Sequence, residues 1–168
     1  NKNMKVLIVT QYFWPENFRI NDLALELKRK NYKVSILTAQ PNYPSGKIFP
    51  NYGIKTIGKS SYKGISIFRV PIIPRFSANK FQLVFNYLSY AFSASIFGAL
   101  FLRKHNFDVI FVYEPSPITV GIPAILIKKI NKDFYSSYHL FPIQFDLKKS
   151  KMDYTEIFKK LRSRKYFF

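Results

Sequence analysis

Short β-branched segments alternate with amphipathic helical segments, and this alternation constrains the fold more than any other feature of the sequence. Segments such as KVLIVT, residues 5–10, are almost wholly apolar, as strands buried on both faces of a parallel sheet require. Asn31 is expected to end the first helix in a left-handed conformation. The order of segments predicts an α/β fold, a Rossmann-like doubly wound parallel sheet. The predicted strands are 5–10, 33–38, 65–70, 108–113 and 133–138, and the predicted helices are 19–30, 81–102 and 118–130.

The position of a ligand site can be inferred from this topology. In doubly wound sheets, ligands bind beyond the carboxyl ends of the strands. The loops after Thr10, Thr38, Tyr113 and Tyr138 are therefore the predicted site. The second of them is a long loop over 39–63, rich in Pro, Gly, Asn and Ser, and long loops in compact domains are often functional.

The loop after the first predicted strand combines side chains that suit sugar recognition. The aromatic faces of Tyr12 and Trp14 can stack on sugar rings, while Glu16 and Asn17 can form directional bonds to hydroxyl groups. Arg19, near a helix N-terminus, can hold a phosphate. The aromatic residues of this loop can equally close the end of the core, and we expect the two roles to be mixed.

Two later loops contribute further candidates. Glu114 lies at the end of the fourth predicted strand, where it can bond a sugar hydroxyl, and Ser116 is placed to cap the following helix. His139 follows the fifth predicted strand and can exchange a hydrogen bond with a sugar hydroxyl or a phosphate oxygen. A histidine held by hydrogen bonds in a loop explains His139 equally well. His105, in a polar turn, is expected to be solvated.

Several classes of protein are excluded or disfavoured by missing motifs. The chain has no cysteine, so disulfides and thiolate metal sites are excluded, and no His/Asp pattern predicts a metal site. No GxGxxG follows the first strand and no GxxxxGK[ST] occurs, which disfavours dinucleotide-binding Rossmann proteins and P-loop NTPases. No GxSxG elbow supports a Ser-His-Asp hydrolase.

The net charge of +18 predicts an anionic partner. Nucleic acid, an acidic membrane surface and a phosphorylated ligand all fit, as does a lysine-rich surface that is simply solvated. Nucleic acid is disfavoured because the basic residues form no recognition helix and no nucleic-acid-binding motif is present. Residues 146–168 are expected to form a basic tail or a divergent segment.

The segment 81–102 contains no charged residue and is long enough to span a membrane. Spanning is disfavoured because predicted strands lie on both sides of it. A narrow polar stripe separates two apolar flanks, which predicts a helix that packs on the sheet with one flank and lies on an anionic membrane with the other. A helix buried on both flanks is the alternative. The polar stripe consists of Gln82, Asn86, Ser89 and Ser93. The flank predicted to face the membrane includes Tyr87, Tyr90, Phe97 and Phe101.

Three ordered motifs carry a resemblance to a known family. MKVLIVTQYFWPENFRINDLALEL, LTAQPNYPSGKIFPNYG and VYEPSPITVGIPA resemble the N-terminal half of retaining, family 4-like GT-B glycosyltransferases. The most similar group contains bacterial capsule, O-antigen and colanic-acid enzymes, including the fucosamine-transferring type. The resemblance covers about residues 4–142. It implies transfer from a nucleotide sugar with retention of configuration, no metal and no cofactor besides the donor.

The resemblance also implies a division of labour between two domains. Residues 1–145 correspond to the acceptor-side domain, in which Tyr43 joins the acceptor-binding residues. The acceptor is expected to be a sugar on undecaprenyl diphosphate, and the protein is expected on the cytoplasmic face of the plasma membrane. The donor-binding domain, with its Glu-x7-Glu motif, is missing from this sequence and is expected in cis or in trans, so this part alone should be inactive.

One departure from the family pattern concerns the candidate catalytic residue. Relatives read Asp-Leu-Trp-Pro or similar where this chain has His139-Leu140-Phe141-Pro142, so His139 is the candidate to replace the acidic residue. Divergence of the sequence from about Phe134 onward is the other interpretation. The alternative function is a truncated, non-catalytic module that sits on a membrane or partners a separate donor domain.

Overall fold

The computed structural model describes residues 4–75, 79–113 and 118–130, which form a five-stranded sheet covered by helices. The sheet has the order β3-β4-β2-β1-β5, in which β1, β2, β4 and β5 are parallel and β3 is an antiparallel edge strand. This arrangement confirms the predicted α/β, Rossmann-like class. The strands are β1 (Lys5–Val9), β2 (Lys33–Ala39), β3 (Gly58–Tyr62), β4 (Ile65–Val70) and β5 (Val109–Val112), and the helices are α1 (Arg19–Arg29), α2 (Lys80–Leu102) and α3 (Gly121–Ile130).

The central strands are buried on both faces, as their apolar sequences predicted. One face packs on α1 through Ile20, Leu23 and Leu27, and the other packs beneath α2 and α3. Each fully buried aliphatic side chain contributes about 2 kcal/mol of transfer free energy. Because both faces of the sheet are covered by helices, polar groups reach the ligand-accessible surface mainly at the ends of the strands.

Helix α1 ends where the sequence predicted. Asn31 adopts a left-handed conformation with φ of 64°, and its amide donates to the carbonyl of Lys28. Asparagine tolerates this conformation better than most residues, so the chain can turn directly into β2. This stop signal was readable from the sequence.

The prediction of a loop over 39–63 was wrong near its C-terminal end, where strand β3 forms. Strand β3 pairs with β4 through a two-residue turn at Lys63 and Gly64, both with positive φ (47° and 73°). Two successive positive φ values suit the turns that join antiparallel hairpin strands. The residues of β3, GKSSY, are mostly polar because an edge strand is partly solvated, so they lack an apolar signal.

The predicted orientation of helix α2, with its tyrosine-bearing flank facing a membrane, was wrong. Tyr90, which we predicted to face a membrane, is fully buried, and Phe97 and Phe101 pack against the core beneath the helix. Tyr87 is half-buried. The opposite flank is exposed instead. Its exposed members are Phe81, Val84, Phe85, Leu88, Phe92, Ile96 and Leu100.

The polar stripe of α2 explains this orientation, because two of its members are buried and hydrogen-bonded. The side-chain amide of Asn86 donates to the carbonyl of Ile73 at 2.7 Å, and the hydroxyl of Ser93 donates to the carbonyl of Pro71. These bonds satisfy carbonyls of the segment after β4. Gly98 lets the helix approach Leu37 of the sheet so closely that an added Cβ would lie 2.8 Å from its Cδ2.

By length and composition, α2 is able to cross a membrane, with a mean hydropathy of 1.4. One third of that apolar window is buried within the fold, against the sheet and α3. The predicted strand 133–138 and the predicted tail 146–168 lie outside the described residues.

Candidate functional site

The carboxyl ends of β1, β2 and β4 lie side by side, and the loops after them contact one another. The amide of Ala39 donates to the carbonyl of Gln11 at 3.2 Å, and the amide of Gln40 donates to the carbonyl of Val70 at 3.2 Å. These contacts bring together the loops 10–18 and 40–57, which follow two of the strand ends where the topology predicts a site, and the site itself stays a prediction.

Glu16 holds these two loops together. Its Oε1 accepts from the backbone amides of Asn42 (2.9 Å) and Tyr43 (2.8 Å), and its Oε2 accepts from the amide of Phe13 (3.3 Å). The residue is only 2% exposed. We predicted that Glu16 binds a ligand directly, but burial and these three amides make it a positioning residue.

The environment of Glu16 also changes its acidity. Burial raises the pKa of the carboxyl group to about 7, although the three amide bonds and the charge of Arg69 favour the ionised form. Desolvation is the larger effect because the side chain has almost no contact with solvent. The carboxyl group therefore changes charge near neutral pH.

Arg69 of β4 is a second buried charge at this edge, and the sequence interpretation missed it. Its guanidinium donates to the carbonyls of Ala39 (3.3 Å) and Trp14 (2.6 Å) and lies 5.0 Å from the ring centroid of Tyr52. Burial lowers the pKa of Arg69, whereas Tyr52 and Glu16 raise it. An arginine near the end of the apolar strand ISIFRV was the available signal.

An aromatic cluster lies beside Glu16. The rings of Tyr12 and Phe18 are stacked at 5.0 Å, and Tyr43 is tilted against both at 5.7 Å and 5.2 Å. Tyr12 is buried, whereas Tyr43 is 41% exposed with the Arg75 guanidinium 5.7 Å from its ring centroid. Tyr43 is thus the member of the cluster that offers surface to a ligand.

The other residues predicted for the first loop are placed differently. The ring of Trp14 stacks on Tyr62 of the edge strand at 4.3 Å, so it packs against β3 instead of joining the aromatic cluster. Asn17 and Arg19 are exposed, and Arg19 opens α1. The structure brings together Tyr12, Glu16 and Tyr43, but it directs Trp14 elsewhere.

Three buried side-chain amides at this edge have hydrogen-bonding atoms without a partner among the described residues. They are Oε1 of Gln11, Nε2 of Gln40 and Oδ1 of Asn42. Their other amide atoms are engaged: Gln11 donates to Asn86 at 2.7 Å, Gln40 accepts from Thr56 at 2.8 Å, and Asn42 donates to the carbonyl of Gln40 at 3.0 Å.

All three unpartnered atoms are buried, as Glu16 is, so they do not themselves offer surface to a ligand in this structure. A buried polar atom without a partner costs free energy, and an enclosed water molecule is the usual partner of such an atom. The exposed ring of Tyr43 is the group at this edge that can stack on a sugar. The sequence interpretation did not select Gln11, Gln40 or Asn42.

A cavity of about 520 Å³ lies at the opposite, amino-terminal edge of the sheet. Its size suits a small ligand. It contains none of the residues predicted from the topology, so it is a separate feature. We assign the candidate site to the carboxyl edge because the exposed ring of Tyr43 and the loops joined by Glu16 lie there.

Three predicted residues, Glu114, Ser116 and His139, lie outside the described residues. Within 4–75, 79–113 and 118–130, no group of three His, Asp or Glu side chains could hold a metal ion.

Two solved structures show distant similarity to this chain. No protein-family model matches the chain, and no curated protein matches it. The fold is similar to the C-terminal domain of a hydrogenase from Pyrococcus furiosus, at 13% identity and a TM-score of 0.49, with 83% of this chain and 92% of that chain covered. It is also similar to the catalytic domain of starch synthase IV from Arabidopsis thaliana bound to ADP and acarbose, at 14% identity and a TM-score of 0.45, with 80% and 31% covered.

Proposed function

We propose that this chain is the acceptor-binding half of a retaining, nucleotide-sugar-dependent glycosyltransferase of bacterial surface polysaccharide synthesis. The acceptor is a sugar carried on undecaprenyl diphosphate, and a donor-binding domain in cis or in trans completes the enzyme. The three ordered sequence motifs support the family, and two of them supply the loops that meet at Glu16.

The observation that carries the proposal is the exposed ring of Tyr43 at the carboxyl edge, on backbone that buried Glu16 holds in place. The ring supplies a face on which a sugar can stack. Glu16 and Arg69 bind backbone groups and act as positioning residues for the loops. Sugar transfer requires the complete enzyme, in which the nucleotide sugar on the donor-binding domain faces the carboxyl edge of this half.

The exposed flank of α2 supports the proposed association with a membrane, and the cytoplasmic face follows from the family resemblance alone. Phe81, Phe85 and Phe92 are solvent-exposed, and exposed lysines and arginine lie at both ends of the helix. Apolar residues flanked by basic ones suit a helix that lies in an anionic interface. Such a location would place the sugar-binding loops near a lipid-linked acceptor. Exposed apolar residues of α3 on the same face of the sheet are Ile122, Ile125 and Leu126.

Binding of a lipid-linked sugar tests the proposed function. The protein is incubated with phosphatidylcholine vesicles that contain or lack undecaprenyl-diphosphate N-acetylglucosamine, and the bound fraction is measured by co-sedimentation. Tyr43→Ala is expected to weaken carrier-dependent binding about fivefold, because removing a stacking ring costs about 1 kcal/mol.

The matched control is Ile54→Ala, which shortens an exposed apolar side chain in the same loop. It is expected to leave carrier-dependent binding within about twofold of the parent value. Vesicle binding that ignores the carrier, or an equal loss in both variants, would overturn the proposal.

A further inference from the structure

The cavity at the amino-terminal edge of the sheet is strongly basic. Four lysines line it, Lys5, Lys28, Lys33 and Lys104, and no acidic side chain in the described part of the chain does. They come from β1, from α1, from β2 and from the turn after α2, so the charge converges from four elements. This edge lies opposite the loops assigned to sugar binding, so a ligand bound here is independent of the proposed function.

Two of these lysines are neighbours in the sheet. Lys5 of β1 is in register with Lys33 of β2. Side chains alternate along strands, so both lysines belong to the face that carries Leu7 and Leu37. Like charges at paired positions destabilise a sheet, and an anion between them would remove that cost.

Uncharged groups that can bind an anion lie on the same face. Ser35 of β2 is in register with Ser66 of β4, and both half-buried serines line the cavity. His105, which we expected to be solvated, is half-buried and also lines the cavity, and its Nδ1 is buried without a partner among the described residues. The rings of Phe68 (5.3 Å) and Phe107 (6.2 Å) fix the imidazole on two sides.

The nearby acidic group is already engaged. The carboxylate of Asp108 accepts from the backbone amide of Lys5 at 2.8 Å and lies outside the lining of the cavity. Lys28 donates to the carbonyl of Lys63, which holds the ammonium group beside the β3–β4 turn. The other lysines that line the cavity therefore have no acidic side chain in its lining to offset their charge.

We propose that this cavity is a binding site for a phosphate-bearing ligand. Lysine ammonium groups bind phosphate as point charges, and serine hydroxyls donate to its oxygens. Four lysines favour a ligand with more than one negative charge, such as a diphosphate. Lys5 and Lys33 hold the anion between them, while Ser35 and Ser66 bind it from the sheet.

Titration with inorganic pyrophosphate, followed calorimetrically at low salt, tests this site in the whole chain. The double variant Lys5→Gln/Lys33→Gln is expected to weaken binding at least tenfold. Both lysines are exposed, so the variant should fold. The matched control Lys55→Gln/Lys59→Gln removes two exposed charges outside the cavity and should keep the affinity within about twofold. No binding by the parent, or an equal loss in the control, overturns the proposal.

Thermal unfolding supplies a second, independent readout. At low salt and without ligand, Lys5→Gln/Lys33→Gln should raise the melting temperature relative to Lys55→Gln/Lys59→Gln, because only the first variant relieves a paired repulsion. Equal melting temperatures would contradict the view that the unliganded cavity holds uncompensated charge.

Phosphatidic acid vesicles then distinguish a lipid headgroup from a soluble ligand. Vesicle binding that pyrophosphate displaces, and that Lys5→Gln/Lys33→Gln loses, assigns the site to a headgroup. Pyrophosphate binding without displacement assigns it to a soluble ligand. Both results support the phosphate site and name its source.

Discussion

The carboxylate of Glu16 accepts a hydrogen bond from the backbone amide of Asn42 at 2.9 Å and thereby joins the loops after β1 and β2. The same oxygen accepts from the amide of Tyr43, so one buried side chain fixes the backbone that presents the exposed aromatic ring. Loops alone rarely hold a site rigidly, whereas a buried acceptor with three donors does. The geometry of the candidate site therefore depends on a residue that does not itself meet the ligand.

The first prediction concerns the pH dependence of stability. The pKa of Glu16 is raised by burial to about 7, above its ordinary value near 4.5, so the folded state binds this proton more tightly than the unfolded state. Protonated Glu16 therefore adds up to about 3 kcal/mol to the free energy of unfolding. This contribution is fully present below about pH 4.5 and is lost as the pH rises through 7. Glu16→Gln should abolish this contribution.

Urea unfolding at several pH values between 4.5 and 8 checks this prediction, with the free energy of unfolding compared between parent and variant. Glu26→Gln is the control, since Glu26 forms surface ion pairs with Arg29 and Lys30. The difference between parent and Glu16→Gln should change with pH, and that between parent and Glu26→Gln should stay nearly constant. Parallel curves for parent and Glu16→Gln would contradict the assignment.

The second prediction concerns the close approach of the 40–57 loop to the segment after β4. Gly46 has φ of +72°, and an added Cβ would lie 1.8 Å from the carbonyl oxygen of Arg75. Gly46→Ala must move one of the two backbones and should cost about 3 kcal/mol in stability, together with a loss of carrier-dependent binding.

The matched control is Gly58→Ala, because Gly58 also has a positive φ (+106°) but an added Cβ meets nothing within 4 Å. It should show the cost of backbone strain alone, about 1–2 kcal/mol, with unchanged carrier-dependent binding. Urea unfolding and vesicle co-sedimentation measure the two effects. If both variants bind the carrier equally well, the close approach of Gly46 to Arg75 does not contribute to the site.

The third prediction tests Arg69. Arg69→Met leaves the carbonyls of Ala39 and Trp14 without their donor and should destabilise the fold by about 2–4 kcal/mol. Trp14 is the chain's single tryptophan, so its emission should shift to the red as its stack on Tyr62 loosens. Arg29→Met, at an exposed ion pair, should change stability by less than about 0.5 kcal/mol. If the tryptophan emission of Arg69→Met is unshifted, Arg69 does not hold the Trp14 segment in place.

The fourth prediction concerns the exposed flank of α2. Phe85 and Phe92 are 60% and 71% exposed, so Phe85→Ser/Phe92→Ser should leave the fold intact and reduce co-sedimentation with anionic vesicles at least tenfold. Ile54→Ser is the control, because Ile54 is an exposed apolar residue on a different part of the surface. If the double variant binds vesicles as the parent does, this flank does not contact the membrane.

Most of the architecture was predictable because the central strands are buried on both faces. Apolar runs such as ISIFRV and the left-handed stop at Asn31 are local signals, and the structure confirms both. Strand β3 was missed because its polar residues are stabilised by pairing with β4, which no local pattern reveals. Its turn at Lys63 and Gly64 was the signal that could have revealed it.

The site was only partly predictable because tertiary contacts decide whether a polar side chain meets ligand or protein. Glu16 and Tyr43 were selected from sequence, but only the structure shows that the first positions the second. We chose the wrong flank of α2 as the membrane-facing one because we placed its tyrosines at the interface. In the structure, side chains of the polar stripe and of Tyr90 donate hydrogen bonds to backbone carbonyls, so this flank faces the core.

The central claim is that the loops at the carboxyl edge bind the acceptor sugar at the exposed ring of Tyr43. The most direct measurement is the chemical shift of the backbone amides of Asn42 and Tyr43 in ¹⁵N-labelled protein, titrated with a short-chain, water-soluble prenyl-diphosphate N-acetylglucosamine. We predict shifts for both, and none for Lys59 on the edge strand β3. Shifts confined to Asn106, which lines the basic cavity, would place the ligand at the opposite edge and contradict the account.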